Sequence, residues 1–227
     1  MFGLELMASG LLHLAATDVK SQIKCEAKIV PKINVVPTKS NVQYDFTKTK
    51  NDLSRFDIDT ISPYEASHKT HVGGLMSGKI QLKQQTEFMQ EAYDHVGYGC
   101  VYIKMIDVKI HIDPTIYVAK EHKQGSCNHN EILKHEKKHL REDQLVVNKY
   151  SGIIGENIKK SLISEGYSFG PYKISELAKV QKRLQRKIAK LVTERHDEMN
   201  LERQERQQAI DSIEEYDEIA ARCLKSK

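Results

Sequence analysis

The sequence predicts an α+β protein: a twisted, mostly antiparallel N-terminal sheet, then a helix carrying the pattern H-E-x-x-H, then long C-terminal helices. Three observations predict it. Residues 26 to about 120 alternate short β-rich runs with turn residues, and "AKIVPKINVVP" and "CVYIKMIDVKIHID" show period-two patterning. After "KQGSCNHN" the apolar spacing changes to that of a helix. From Ile174 to about Ala209 there is no Pro or Gly, and Ile174, Leu177, Leu184, Ile188 and Leu191 recur at spacings of three, four and seven.

With 227 residues the chain can bury a core without staples. Its 35 basic and 31 acidic residues are spread along the chain, so the net charge of +4 leaves no footprint for nucleic acid. Lys179, Lys182, Arg183, Arg186, Lys187 and Lys190 read as the solvated face of the long helix. No apolar run approaches the ~18 to 20 residues that cross a bilayer, so no membrane span is expected. Residues 1–24 are a separate N-terminal segment, in which Leu6 to Ala16 resembles the core and cleavage end of an export signal. No basic residue precedes that stretch, and Glu5 and His13 interrupt it. Residues 25–227 then form one domain, with a β-rich half at 25–122 and a helical half at 126–227. Cys25, Cys100, Cys127 and Cys223 contain no CxxC; they permit two disulfides of open connectivity and favour a periplasmic or secreted protein.

The elements follow in order. Gly73, Gly74 and Gly78 suggest turns, and "TEFMQEAYDHVG" a short helix. Val101, Ile103 and Met105 lie on one parity and Val108, Ile110 and Ile112 on the other, which predicts a bulge or bend at Asp107. "DPTIYVAKEH" reads as one more strand, whose "TIYVAK" would be an edge where an extended peptide adds by β-augmentation. Asn128 and Glu131 have capping-box spacing, so a helix should start there and run to about Tyr150, with Gly152 and Gly155 as breaks and a loop at Pro171.

The chemistry lies in "HEKKH". Two His four apart on a helix share one face, as zinc ligands bonded at ~2.0 to 2.2 Å require. Glu136, one residue after His135, would stand beside the open coordination position, where its carboxylate takes a proton from water and returns it to a leaving amine. Ten His and nineteen Glu give an expectation of about 4% for one accidental match, so the motif depends on its context. That context is a capped helix directly after a β-rich segment.

Catalytic zinc needs a third protein ligand. The metzincin continuation is excluded, because Glu142 and Leu145 stand where Gly and His would be required. Projection of the long helix centres its apolar stripe near Arg195 and Glu202, so Glu202 interrupts an apolar face and is the first choice of ligand. A salt bridge to Arg195 or Arg206 is its alternative role. His196, about 105° from that centre, Glu198 beside the stripe and Glu156, seventeen residues past His139, are further choices.

The order "GSCNHNEILKHEKKH", a long helix, then "RQQAIDSIEEYDE" resembles an uncharacterised bacterial family of predicted zinc-dependent, zincin-like proteases. The likeness is clearest from about Cys100 to Tyr216, and HExxH is its mechanistically specific part. It implies an exported metallopeptidase-like fold with His135 and His139 as ligands, Glu136 as base and a third ligand near the end of the long helix. Where related sequences carry His near that end, this chain has Glu202. Asp211 and Tyr216 match positions of the family's terminal motif, with a structural cap as the implied role and Tyr216 also able to stabilise an oxyanion. The expectation is a zinc-dependent hydrolase of peptide bonds acting on a protein or peptide substrate. The alternative is a non-catalytic cell-envelope or interaction protein whose HExxH is vestigial or accidental.

Overall fold

The computed structural model describes residues 22–56 and 72–224. The apolar N-terminal stretch, together with His68 and His71, lies outside them. No helix among the described residues is long and apolar enough to cross a membrane. Five strands form one mixed sheet: β1 (Lys32–Lys39), β2 (Gln43–Asp45), β3 (Gly74–Tyr93), β4 (Tyr98–Val118) and β5 (Ser168–Lys173). The helices are the single turn α1 (Lys50–Leu53), α2 (Cys127–Glu165), α3 (Leu177–Ile210) and α4 (Ile213–Leu224).

The 21-residue β4 is hydrogen-bonded to all four other strands. Its Ile106, Val108, Ile110, Ile112, Ile116 and Val118 are all at most 2% exposed, while Lys109 and Asp113 face solvent. This alternation is what a pleated strand with one buried face requires. The sheet departs from the expected antiparallel pattern at β2, which runs parallel to β4 and pairs Gln43–Asp45 with Thr115–Tyr117. β5 runs antiparallel to β4. "TIYVAK" is therefore the paired end of β4 and not an edge strand, and Pro114 sits buried within the strand.

Other local expectations shift for identifiable reasons. β4 passes through Asp107 unbroken, and its register irregularity falls between Gly99 and Val101, opposite β5. Cys100 to Ile103 are buried on both parities, so Val101 and Ile103 do not mark a switched face. "TEFMQEAYDHVG" begins in β3, because pairing with β4 overrides the helical preference of its Glu, Gln and Ala. Gly74 and Gly78 also lie inside β3, where they let other groups approach. The segment around Pro171 is β5 and not a loop.

The helix bearing HExxH is longer than expected, with 39 residues. It starts at Cys127, and Ser126 Oγ accepts from the His129 backbone N–H at 3.3 Å, so Ser126 and not Asn128 caps it. Gly152 and Gly155 lie within it. Each glycine costs roughly 1 kcal/mol relative to Ala, which the buried Val146, Val147, Tyr150 and Ile154 around them outweigh. The long C-terminal helix is as expected, preceded by a 3-10 turn at Ile174–Glu176. Its Leu177, Val180, Leu184, Ile188, Val192 and Met199 are buried, so Val192 joins the apolar stripe in place of Leu191.

The described chain divides into two compact units, each combining strand and helix segments. One takes residues 22–34, 85–107 and 158–190; its core joins Val101, Leu177, Val180 and Leu184, and it contains the disulfide Cys25–Cys100. The other takes residues 35–56, 72–84, 108–157 and 191–224, contains the disulfide Cys127–Cys223, and holds the whole HExxH site.

Candidate metal centre

The first turns of α2 place His129, Glu131, His135, Glu136 and His139 on its buried side. His135 and His139, one turn apart, bring their Nε2 atoms to 3.2 Å from each other, with ring centroids 4.8 Å apart. α3 ends at Ile210 and α4 begins at Ile213, so Asp211 occupies the corner between two helices. Its Oδ1 lies 3.1 Å from Nε2 of His135 and 3.1 Å from Nε2 of His139. All three residues are at most 7% exposed. Among the described residues, His135, His139 and Asp211 form a group able to hold a metal ion.

The surrounding side chains orient these three. Tyr216 donates its hydroxyl to Asp211 Oδ1 at 2.9 Å, and its ring lies 5.3 Å from that of His135. Glu215 Oε1 stands 3.6 Å from His135 Nδ1, a buried nitrogen without a hydrogen-bond partner, and is ion-paired to Lys138 at 2.5 Å. Although burial opposes its charge, Lys138 keeps the Glu215 carboxyl below its ordinary range. His139 Nδ1 meets Gln207 Oε1. Burial works against a charged His139 ring, but the hydrogen bond to Asp211 and the nearby carboxylates outweigh it and raise its pKa.

Glu136 is 5% exposed and lies against β3. A Cβ on Gly74 would sit 2.6 Å from Glu136 Oε1 and would overlap Ile132, so the carboxyl occupies space that only glycine leaves. Burial pushes the Glu136 pKa up to about 7, against the pull of His139 and His135 and of a hydrogen bond from the Met76 backbone; Asp211 adds to the rise.

The structure brings His135, Glu136 and His139 together as the sequence predicts, and it corrects the third position. Glu202 binds Lys149 at 2.5 Å and Arg206 at 2.9 Å, the second being its alternative role, and it does not join the His pair. The reason is local: on α3, Glu202 finds cations one turn away and on α2, and its carboxylate stays below the ordinary range chiefly through the Lys149 hydrogen bond. The alternatives are also elsewhere. His196 contacts Asn200, Glu198 pairs with Arg195, and Glu156 is exposed. Tyr216 donates its hydroxyl to Asp211 and so stands behind the third donor.

Asp211 lies beyond the helix that projection searched. One sequence signal marks it: Ser212 and Glu215 have S-x-x-E spacing. Ser212 Oγ accepts from the Glu215 backbone N–H at 3.2 Å, opening a new helix and leaving Asp211 at the corner. His129, 3% exposed, packs edge-on to Phe46, and His122 lies near Gly73; neither joins the three donors.

Comparison with protein-family models, with curated proteins and with solved structures finds no match for this chain.

Proposed function

We propose that this protein is a zinc-dependent peptidase of zincin-like type, acting outside the cytoplasm. The observation that carries the reading is the convergence of His135 Nε2, His139 Nε2 and Asp211 Oδ1 with Glu136 next in sequence and buried beside them. The donors fit zinc: two imidazoles and a carboxylate are the ligand types of three-ligand catalytic sites, and donors bound tetrahedrally at ~2.0 to 2.1 Å stand ~3.3 Å apart. Their spacings of 3.1 to 3.2 Å agree with that. The unpartnered Nδ1 of His135 near Glu215 has the second-layer arrangement of ligating histidines.

Zinc held by these residues would supply a Lewis acid that makes water nucleophilic near neutral pH and polarises the amide carbonyl. Glu136 accepts the water proton on its carboxylate and delivers it to the departing amine nitrogen, as a pKa near 7 suits. Tyr216 holds Asp211 through its hydroxyl, and Glu215 stands 3.6 Å behind His135 Nδ1. The two disulfides, together with the resemblance to exported zincin-like proteases, support a periplasmic or secreted location.

The test is metal analysis of the purified protein beside a His135→Ala/His139→Ala variant, with hydrolysis of an unstructured protein assayed in both. Stoichiometric zinc and cleavage in the native protein, both lost in the variant, are expected. Equal, negligible zinc in the two would sink the proposal, and zinc without cleavage would leave a structural metal site.

A further inference from the structure

The side chains behind His139 form a chain whose polarity can be read from one end to the other. Arg203 Nε donates to Asp143 Oδ1 at 2.6 Å, and its Nη2 lies 3.4 Å from Oδ2. Gln207 Nε2 donates to the same Oδ1 at 2.6 Å and to the His139 carbonyl oxygen at 3.0 Å. Gln207 Oε1 meets His139 Nδ1. Gln207 is 3% exposed, Asp143 is fully buried, and β3 passes so close that a Cβ on Gly78 would overlap Asp143 Oδ2.

An amide's oxygen and nitrogen are distinguished only by their partners. Here the partners decide. Turned over, Gln207 would set its oxygen against the His139 carbonyl oxygen and against Asp143 Oδ1, which already accepts from Arg203 Nε, so three acceptors would meet deep in the protein. The nitrogen therefore faces Asp143, the oxygen faces His139, and Nδ1 of His139 must carry a proton. The Nε2 of a neutral His139 is then left with a lone pair aimed at Asp211 Oδ1, 3.1 Å away. That 3.1 Å contact is satisfied by a proton on Nε2, which makes the ring an imidazolium, or by a metal ion seated between the two atoms.

We infer that Gln207, locked by Asp143 and Arg203, is the positioning residue that fixes the His139 ring in its Nδ1–H form and so prepares Nε2 as a ligand. The part of this that concerns zinc rests on the peptidase reading. The two histidines are thereby oriented by different chemistry: a carboxylate, Glu215, stands behind His135, and a neutral amide behind His139. The amide is required at 207 because a carboxylate there would face Asp143.

The tautomer is read directly by NMR of isotope-labelled imidazole nitrogens in the metal-free protein, at a pH where His139 is neutral. Nδ1–H is expected in the native chain and a mixture in Gln207→Ala. Zinc affinity, measured by competition with a chromophoric chelator, should fall ~10- to 100-fold in Gln207→Ala, the usual effect of losing such a partner. It should fall also in Gln207→Glu, although carboxylates commonly support ligating histidines. Adding Asp143→Asn to Gln207→Glu restores a donor–acceptor pair and should recover part of the affinity. A native His139 protonated on Nε2, or a Gln207→Glu protein binding zinc as tightly as the native one, would overturn the inference. Nδ1–H in a protein that ignores zinc would instead overturn the peptidase reading and leave this one standing.

Discussion

Asp211 Oδ1 lies 3.1 Å from His135 Nε2, although 76 residues separate them in sequence. The corner between α3 and α4 thus completes what one turn of α2 begins. Asp211→Ala should weaken zinc binding by more than ~100-fold, beyond the 10- to 100-fold typical of outer partners. Glu202→Ala should bind zinc as the native chain does, since its carboxylate is held by Lys149 and Arg206. Equilibrium dialysis against buffered zinc separates the two, and the reverse ranking would restore Glu202 as the ligand.

On the proposed mechanism Glu136 handles protons and does not ligate the metal, so Glu136→Gln should keep zinc and fold while peptide hydrolysis falls ~10²- to 10⁴-fold. Gly74→Ala reaches the same carboxyl from β3. Its Cβ would meet Ile132 and Glu136 Oε1, so it should destabilise the protein by ~1 to 3 kcal/mol and lower turnover while zinc stays bound. Urea denaturation and hydrolysis of a fluorogenic peptide measure the two effects, and an unaltered Gly74→Ala would mean that β3 does not press on Glu136.

Much of this arrangement is legible in the chain because it is local. HExxH places two imidazoles on one face by helix periodicity alone, and the stripe from Leu177 to Ile188 follows from its spacing. β4 is visible through the alternation from Val108 to Ile112. What escaped is what pairing decides. The segment "TEFMQEAYDHVG" carries helix-forming residues but begins in β3 against β4. The parallel β2 is three residues long, too short to announce a direction. Asp211 escaped because projection along a helix finds inward carboxylates only on that helix, while this one stands past its end.

The Glu202 ion pairs give a pH signature independent of zinc. Its carboxylate has a folded-state pKa below the ordinary 4.5, chiefly through the Lys149 hydrogen bond, which outweighs the opposing effect of burial, with a lesser contribution from Arg206. A depressed pKa adds stability that is fully present above the unfolded value and is lost as pH falls through the folded one. Glu202→Gln should therefore be slightly less stable than the native chain at pH ~7, by under ~1 kcal/mol because both cations are half exposed, and equal to it at pH ~2. Urea midpoints at the two pH values test this; a constant difference between them would remove Glu202 from the acid-labile groups.

The last prediction concerns Cys127–Cys223, which ties the first residue of α2 to the end of α4 across 96 positions. Arg222–Glu131 and Lys138–Glu215 join the same two helices, and between them α4 carries Tyr216 to Asp211 and Glu215 towards His135. Removing the bridge with Cys127→Ser/Cys223→Ser should lower stability by ~2 to 4 kcal/mol, mainly by freeing the unfolded chain. It should also loosen α4 in the folded state, so zinc affinity should fall as well, by ~10-fold if the loss matches that of one outer partner. Cys25→Ser/Cys100→Ser breaks a bridge in the unit without the site and should reduce stability while leaving the zinc affinity of the folded protein unchanged. Chelator competition on both variants, at temperatures where each remains folded, makes the comparison. Equal zinc affinity in the two would show that the ion pairs alone hold α4 over the site.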